Sequence, residues 1–404
     1  MEHKKVNAGD LRIGMYVAEL DRPWLDSPFL FQGFTIQDEQ DLKQLRETCD
    51  HVFIDLEKSG DVDPAELEKG PPEPGPEVPD EKFTDFKEEV TRAREVRDKG
   101  TAVTSKLLED VRLGESVNSE DAREVVSELI ATISSNPNAS IWLTNLKRKN
   151  EYLAAHCMDT CVLAVAFARH LGYGRDTLED IGHGALLHDV GMMRTPQELL
   201  EKKEPLTDEE FNVIKRHPVE GYNVLRLIPG IPETALNVVH YHHERYDGSG
   251  YPKGLVGEDI PMEARIVGIA DAYDSMTSPS SYSSDIVLPQ EALGRLRERA
   301  ATDFGGDLVE QFMRCIGIYP VGSLVQLGSG ALAVVISHNQ RTRLRPVVMM
   351  LRDGEGNPYA SRPLVNLDSL LEGMDADRWQ IQGVRDPKDF GIDLEEIADA
   401  QSRG

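Results

Sequence analysis

The chain has 404 residues, with 44 Lys and Arg against 71 Asp and Glu, a formal charge of −27. So acidic a surface argues against DNA or RNA as partners, because binding them needs Lys and Arg across several phosphates. A small phosphate ligand is still admissible where metal ions dominate the field inside a pocket.

The length suits two or three domains. The start, Met1-Glu2-His3-Lys4-Lys5, leads into no apolar signal core, and no apolar run approaches the length needed to cross a bilayer. A cytoplasmic protein without a membrane partner is expected. Of the four cysteines, Cys157 and Cys161 stand four apart on an expected helix and read as buried free thiols.

The expected fold is multi-domain: a central all-α bundle between a small N-terminal β-rich module and a small C-terminal β domain. Residues 1–58 carry short apolar runs, Met15-Tyr16-Val17 and Val52-Phe53-Ile54, broken by Gly14, Pro23, Pro28 and Gly33, with one helix near 39–49. This module is expected to be regulatory. Residues 59–82 are an acidic linker with six prolines, which cannot bury a core. Connecting helices are expected within 83–140, over 83–111 and 119–133.

Residues 141–318 read as all-helical. The spacing of Leu153, Cys157, Cys161, Ala164, Ala168 and Leu171 is that of a helix, and Gly172 can end it. Asp176 with Glu179, and Thr207 with Glu210, resemble capping boxes, while Pro218 and Pro261 are placed to open helices. Alternating strands return in 319–386, at 323–327, 331–337 and 345–351. The acidic stretch 387–404 is expected to be a loose or helical tail.

The chemistry lies in seven side chains: His156, His188-Asp189, His217, His242-His243 and Asp271. Imidazole and carboxylate donors without thiolate suit hard or borderline divalent ions. Seven donors exceed what one open catalytic metal needs. They fit two ions sharing a carboxylate, an arrangement used for attack on phosphorus. The other histidines near these motifs, His170, His183 and His240, read as packing residues.

The text around the ligands carries a resemblance. His188-Asp189-Val190-Gly191 resembles the HD phosphohydrolase signature. His242-His243-Glu244-Arg245-Tyr246-Asp247-Gly248-Ser249-Gly250-Tyr251-Pro252 resembles the segment that names the HD-GYP family, and Ile269-Ala270-Asp271 its downstream aspartate motif. The resemblance runs from about Tyr152 to Tyr282. Arg22–Asp26 and Phe29–Gly33 resemble a small domain of unknown function often fused ahead of HD-GYP domains.

This resemblance implies a two-metal phosphodiesterase that opens cyclic di-GMP, a bacterial second messenger, to the linear dinucleotide, which many members of the family cleave on to GMP. It implies one ion (iron, manganese or similar) on His156, His188, Asp189 and Asp271. A second ion takes His217, His242 and His243, with Asp189 bridging. His188 and Asp189 are then the catalytic pair. Gly250, Tyr251, Pro252, Asp274, Tyr282 and Met192 are the candidate substrate contacts, with Asp274 equally readable as a carboxylate behind the metal ligands or a plain helix carboxylate. The position of a third-metal glutamate in some members is Tyr152 here, which favours two ions.

Three positions depart from the family: Met192 stands where Lys is usual, and Ser280 and Ser283 where Arg and Lys are common. Methionine gives a phosphate neither charge nor hydrogen bond. Two alternatives therefore stay open, a weakened sensor that binds without rapid turnover and a phosphohydrolase of a mixed cyclic dinucleotide or the linear product. The GYP loop and the N-terminal module are the candidate surfaces for a protein partner, and a homo-oligomer is left open.

Overall fold

The structure is a computed structural model. It describes residues 3–8, 80–115, 119–145, 152–200, 202, 204–278, 286–339, 342–359, 361–370 and 376–403, with shorter stretches within 11–55. The chain divides into two compact units, residues 1–80 with 324–385, and residues 81–323 with 386–404.

The first unit holds two antiparallel sheets. Strands β1 (His3–Asn7), β2 (Tyr16–Leu20), β3 (Phe34–Thr35) and β4 (His51–Asp55) lie in the order β1-β4-β2-β3. The apolar runs of the sequence supply its core: Val17, Leu20, Val52 and Ile54 pack with Ile36 and Leu45. Strands β5 (Leu324–Leu327), β6 (Leu332–Ser337), β7 (Val347–Arg352), β8 (Leu364–Asn366) and β9 (Ile381–Val384) form a second sheet, β8-β7-β6-β5-β9. Strands β8 and β9 are short and were not legible as alternation.

Read from the sequence as two separate ends, the terminal strand segments share one unit, in which the Arg345 guanidinium meets Glu19. The segments 22–26 and 29–33, most of the helix expected over 39–49, and linker residues 59–79 lie outside the described residues.

The second unit is helical. In chain order it contains α1 (Asp80–Leu113), α2 (Ser119–Ser135), α3 (Pro137–Thr144), α4 (Tyr152–His170), α5 (Arg175–Leu187), α6 (Gln197–Leu200), α7 (Asp208–Ile214), α8 (His217–Leu225), α9 (Glu233–Tyr241), α10 (Met262–Thr277), α11 (Pro289–Glu298) and α12 (Gly306–Ile316). Helix α1 begins at Asp80, inside the stretch assigned to the linker.

Helix α4 is the axis of this unit. The apolar spacing predicted one buried face, yet every residue from His156 to Ala168 is buried. Its many small side chains let α5 and α10 close on it from different sides. Phe167 of α4 meets Phe312 of α12 edge-on at 5.1 Å, and Phe312 in turn meets Tyr273 of α10 at 5.5 Å. Trp142 of α3, fully buried, stacks on Phe86 of α1 at 5.5 Å. Burying each such aromatic contributes roughly 1.5–3 kcal/mol.

The helix ends follow local chemistry. Leu171, Gly172 and Tyr173 turn their backbone N–H groups back onto Phe167, Arg169 and Ala168 carbonyls, with Gly172 at φ +90°, so α4 stops there. Thr207 and Glu210 form the capping box of α7. The Asp176 box does not form: Gly174 caps α5, and Glu179 instead pairs with Arg175 at 2.9 Å. Pro218 lies in the first turn of α8, and Pro261 just precedes α10.

Among the described residues no helix is long and apolar enough to cross a membrane. Cys157 and Cys161 are buried free thiols; burial pushes Cys161 up to about 12.

Candidate metal centre

Three helix ends and two helix interiors meet around one carboxylate. His188 and Asp189 follow directly on α5, His217 opens α8, His242 and His243 follow α9, and Asp271 lies on α10 beside His156 of α4. Two glycines allow this approach. A Cβ on Gly191 would fall 2.0 Å from the His217 carbonyl oxygen, so only glycine lets the turn after Asp189 press on the start of α8. A Cβ on Gly268 would fall 2.6 Å from the His242 carbonyl, which holds α10 against the end of α9.

Asp189 divides its two oxygens between two histidine groups. Its Oδ1 lies 3.1 Å from His217 Nε2 and 3.9 Å from His242 Nε2. Its Oδ2 lies 3.6 Å from His188 Nε2 and 4.0 Å from His156 Nε2. Among the described residues, side chains close enough to share one ion fall into two sets, Asp189 with His217, His242 and His243, and Asp189 with His156 and His188. Asp271 stands between them, 3.2 Å from His156 Nε2 and 3.9 Å from His243 Nδ1.

The imidazoles are aimed from behind. Nδ1 of His188 lies 2.8 Å from the Ala185 carbonyl, Nδ1 of His217 2.9 Å from Ile214, and Nδ1 of His242 3.1 Å from Val238 and Val239. A carbonyl only accepts, so Nδ1 donates in each and Nε2 presents a lone pair to the centre. His156 turns its Nδ1 to Asp274 at 2.8 Å.

The donors fit a metal better than they fit one another. His188 Nε2 is buried with no hydrogen-bond partner among the described residues. The Nε2 atoms of His217 and His242 face each other at 3.3 Å, where two lone pairs would repel. Burial, with His188 and His217 nearby, pushes His242 down to about 3, and burial likewise lowers His243. Burial works to raise Asp189, but His188, His217 and His156 hold it well below the usual carboxylate range. Neutral His242 and His243 beside an ionised Asp189 are the protonation states that divalent metals require. His156 goes the other way: burial works to lower it, but Tyr152, Asp271 and Asp274 outweigh that and push it well above the ordinary range.

A cavity of about 540 Å³ opens beside this centre. Its lining includes His156, Asp189, His217, His243 and Asp271, and also Met192 and Tyr251. The Tyr251 ring lies 4.7 Å from that of His243, and burial raises its hydroxyl, so it is neutral.

Other sequence candidates lie elsewhere. Asp274 is fully buried behind His156, so it orients that imidazole and is closed to substrate. Gly250 packs against the Glu244 and Arg245 backbone, and neither it nor Pro252 lines the cavity. Tyr282, Ser280 and Ser283 lie outside the described residues. His183 and His240 belong to neither ligand set; His240 lies between Tyr222 and Tyr241.

Sequence reading missed two features. Glu244 is buried and accepts the backbone N–H groups of Lys253 at 2.7 Å and Leu255 at 2.9 Å, folding the loop that carries Tyr251. The cavity wall also carries Arg245, Arg295 and Arg299. Two of these come from α11 and its end, which no motif marks.

The chain is similar to known proteins along most of its length. A family model described as an HD domain matches residues 126–308, and a domain of unknown function (DUF3391) matches residues 3–122. A cyclic di-GMP phosphodiesterase of Pseudomonas aeruginosa is 32% identical over 393 residues, covering 94% of each chain. A cyclic di-GMP phosphodiesterase response regulator of Xanthomonas campestris pv. campestris is 37% identical over 49% of this chain and 53% of its own. A 3'3'-cGAMP-specific phosphodiesterase of Vibrio cholerae is 33% identical over 35% of this chain and 32% of its own. With a relative matched along nearly its whole length and the ligand motifs gathered at one centre, the chain belongs to the HD-GYP family.

Proposed function

We propose that the chain is a metal-dependent phosphodiesterase that hydrolyses cyclic di-GMP to the linear dinucleotide and onward to GMP. The observation that carries this reading is the Asp189 carboxylate, whose two oxygens face two separate histidine sets. Two ions are therefore the expected load. One would take His156, His188, Asp189 and Asp271; the other would take His217, His242 and His243 with Asp189 shared. Nitrogen and oxygen donors without thiolate favour iron, manganese or a similar ion. Such ions, when bound, supply Lewis-acid neutralisation of phosphoryl charge and water acidic enough to ionise near neutral pH.

The chain's own side chains hold and aim. The backbone carbonyls behind His188, His217 and His242 fix which nitrogen faces the centre. Neutral Tyr251 offers an aromatic face for a base beside His243. Met192 closes the same wall without charge. Hydrolysis adds one water across a P–O3′ bond: a P–O bond forms, the P–O3′ bond breaks, and the ribose oxygen takes a proton.

Purified protein supplied with Mn or Fe tests this against cyclic di-GMP, its linear product and mixed cyclic dinucleotides. Turnover of cyclic di-GMP that disappears on chelation is expected. Metal-loaded protein that turns over none of them would sink the reading. Preference for a mixed cyclic dinucleotide is the second reading, favoured by the uncharged Met192 and by the cGAMP-specific relative.

A further inference from the structure

The cavity has two chemically different walls. Its deep end is made by the metal-binding side chains, with His156 only 4% exposed. Its rim carries Arg295 and Arg299, whose side chains are 46% and 65% exposed, with Arg245 at 20% between rim and floor. Arg295 and Arg299 are four residues apart and so share one face of α11 and its end. In a chain of net charge −27, three guanidinium groups on one small cavity need a reason.

The ion pairs at the rim do not account for them. Arg295 meets Glu291 at 2.7 Å, an ordinary pair along an exposed helix, worth little in water. Asp303 is buried and takes both Arg299 at 2.6 Å and Arg245 at 3.5 Å. Two cations around one carboxylate leave a positive charge unmatched within that group. Each guanidinium has five N–H donors, and one carboxylate engages at most two, so donors are left for a further anion.

We infer that Arg295 and Arg299, with Arg245 behind them, form an anion subsite for the second phosphodiester of a cyclic dinucleotide. The first phosphodiester lies at the metal ligands. This assignment rests on the phosphodiesterase reading above and sharpens it: the arginine rim selects substrates with two phosphates held apart. It also supplies the charge that Met192, in the lining of the same cavity, lacks. Asp303 acts through Arg245 and Arg299, holding both in place.

The test compares wild type with R295Q/R299Q, both metal-loaded, on cyclic di-GMP and on bis(p-nitrophenyl) phosphate, which has one phosphodiester. The ratio of kcat/KM for cyclic di-GMP over the single diester should fall about ten- to hundred-fold, as lost charged hydrogen bonds imply. The change should sit in KM, the salt dependence of KM should flatten, and R295K/R299K should recover part of the loss. Metal content and thermal unfolding of each variant establish that the fold is intact. An unchanged ratio, or a loss that is equal on both substrates, would overturn the subsite alone. Wild type that cleaves the single diester but no cyclic dinucleotide would overturn the functional reading and the subsite with it.

Discussion

Nδ1 of His156 lies 2.8 Å from Oδ2 of Asp274, and both side chains are buried. The same Asp274 oxygen also accepts from the Ser278 hydroxyl at 2.9 Å, so it is held from two sides. A carboxylate in this position fixes the orientation of an imidazole and makes its other nitrogen more basic. Asp274→Asn keeps the shape and removes the charge. It should weaken metal binding about 10- to 100-fold, read by chelator competition, with the fold retained. Unaltered metal affinity would show that Asp274 merely fills space.

Asp189 is the residue both sets of ligands share. Elemental analysis of protein purified without chelator should find about two metal ions per chain, the number the shared carboxylate implies. Asp189→Ala should lose both together. A variant that keeps one ion at full occupancy would show that the carboxylate serves a single site.

Arg97 of α1 is buried and binds Asp159 of α4 through both oxygens, at 2.7 and 2.9 Å. Removing one partner strands a buried charge, so Arg97→Met should destabilise the helical unit by about 3–5 kcal/mol. Replacing both, as in R97M/D159L, should recover most of that loss, because the hydrophobic pair leaves no charge unmet. Denaturant unfolding of the three proteins decides it. Equal stability of the single and double variants would sink the idea.

Burial, helped by the Arg123 charge, lowers His183 to about 4 from the ordinary 6.5. In the unfolded chain it titrates near 6.5. Between pH 6.5 and 4 the unfolded chain therefore binds more protons, and stability falls as pH drops through that window. Above 6.5 both forms are neutral and His183 contributes no slope. Chelator-treated protein should lose stability from pH 7 to 5, and His183→Phe should lose measurably less. Identical losses would assign the pH dependence entirely to other groups, such as the metal-ligand histidines.

The residues that could hold metal were legible in the sequence because their chemistry is local to short motifs. A His-Asp pair, a His-His pair and single ligands stand at fixed places in the chain, and a scarce donor type repeated in order is informative without any geometry. Helix α4 was legible as a helix, because apolar spacing reports periodicity. That it is buried on nearly every side was not, since spacing on one chain cannot say how many neighbours will close on it.

Only the tertiary structure decided which oxygen of Asp189 faces which histidines, because that depends on helices meeting where Gly191 and Gly268 allow backbones to touch. It also decided that Asp274 stands behind His156 and out of reach of substrate. It brought Arg295 and Arg299 to the cavity from more than forty residues beyond Tyr251, the nearest cavity-lining residue of the segment 242–252, in a stretch that read only as helical. Short motifs record which atoms can do the chemistry. Charges that surround a site from distant helices leave no local pattern, because packing alone places them there.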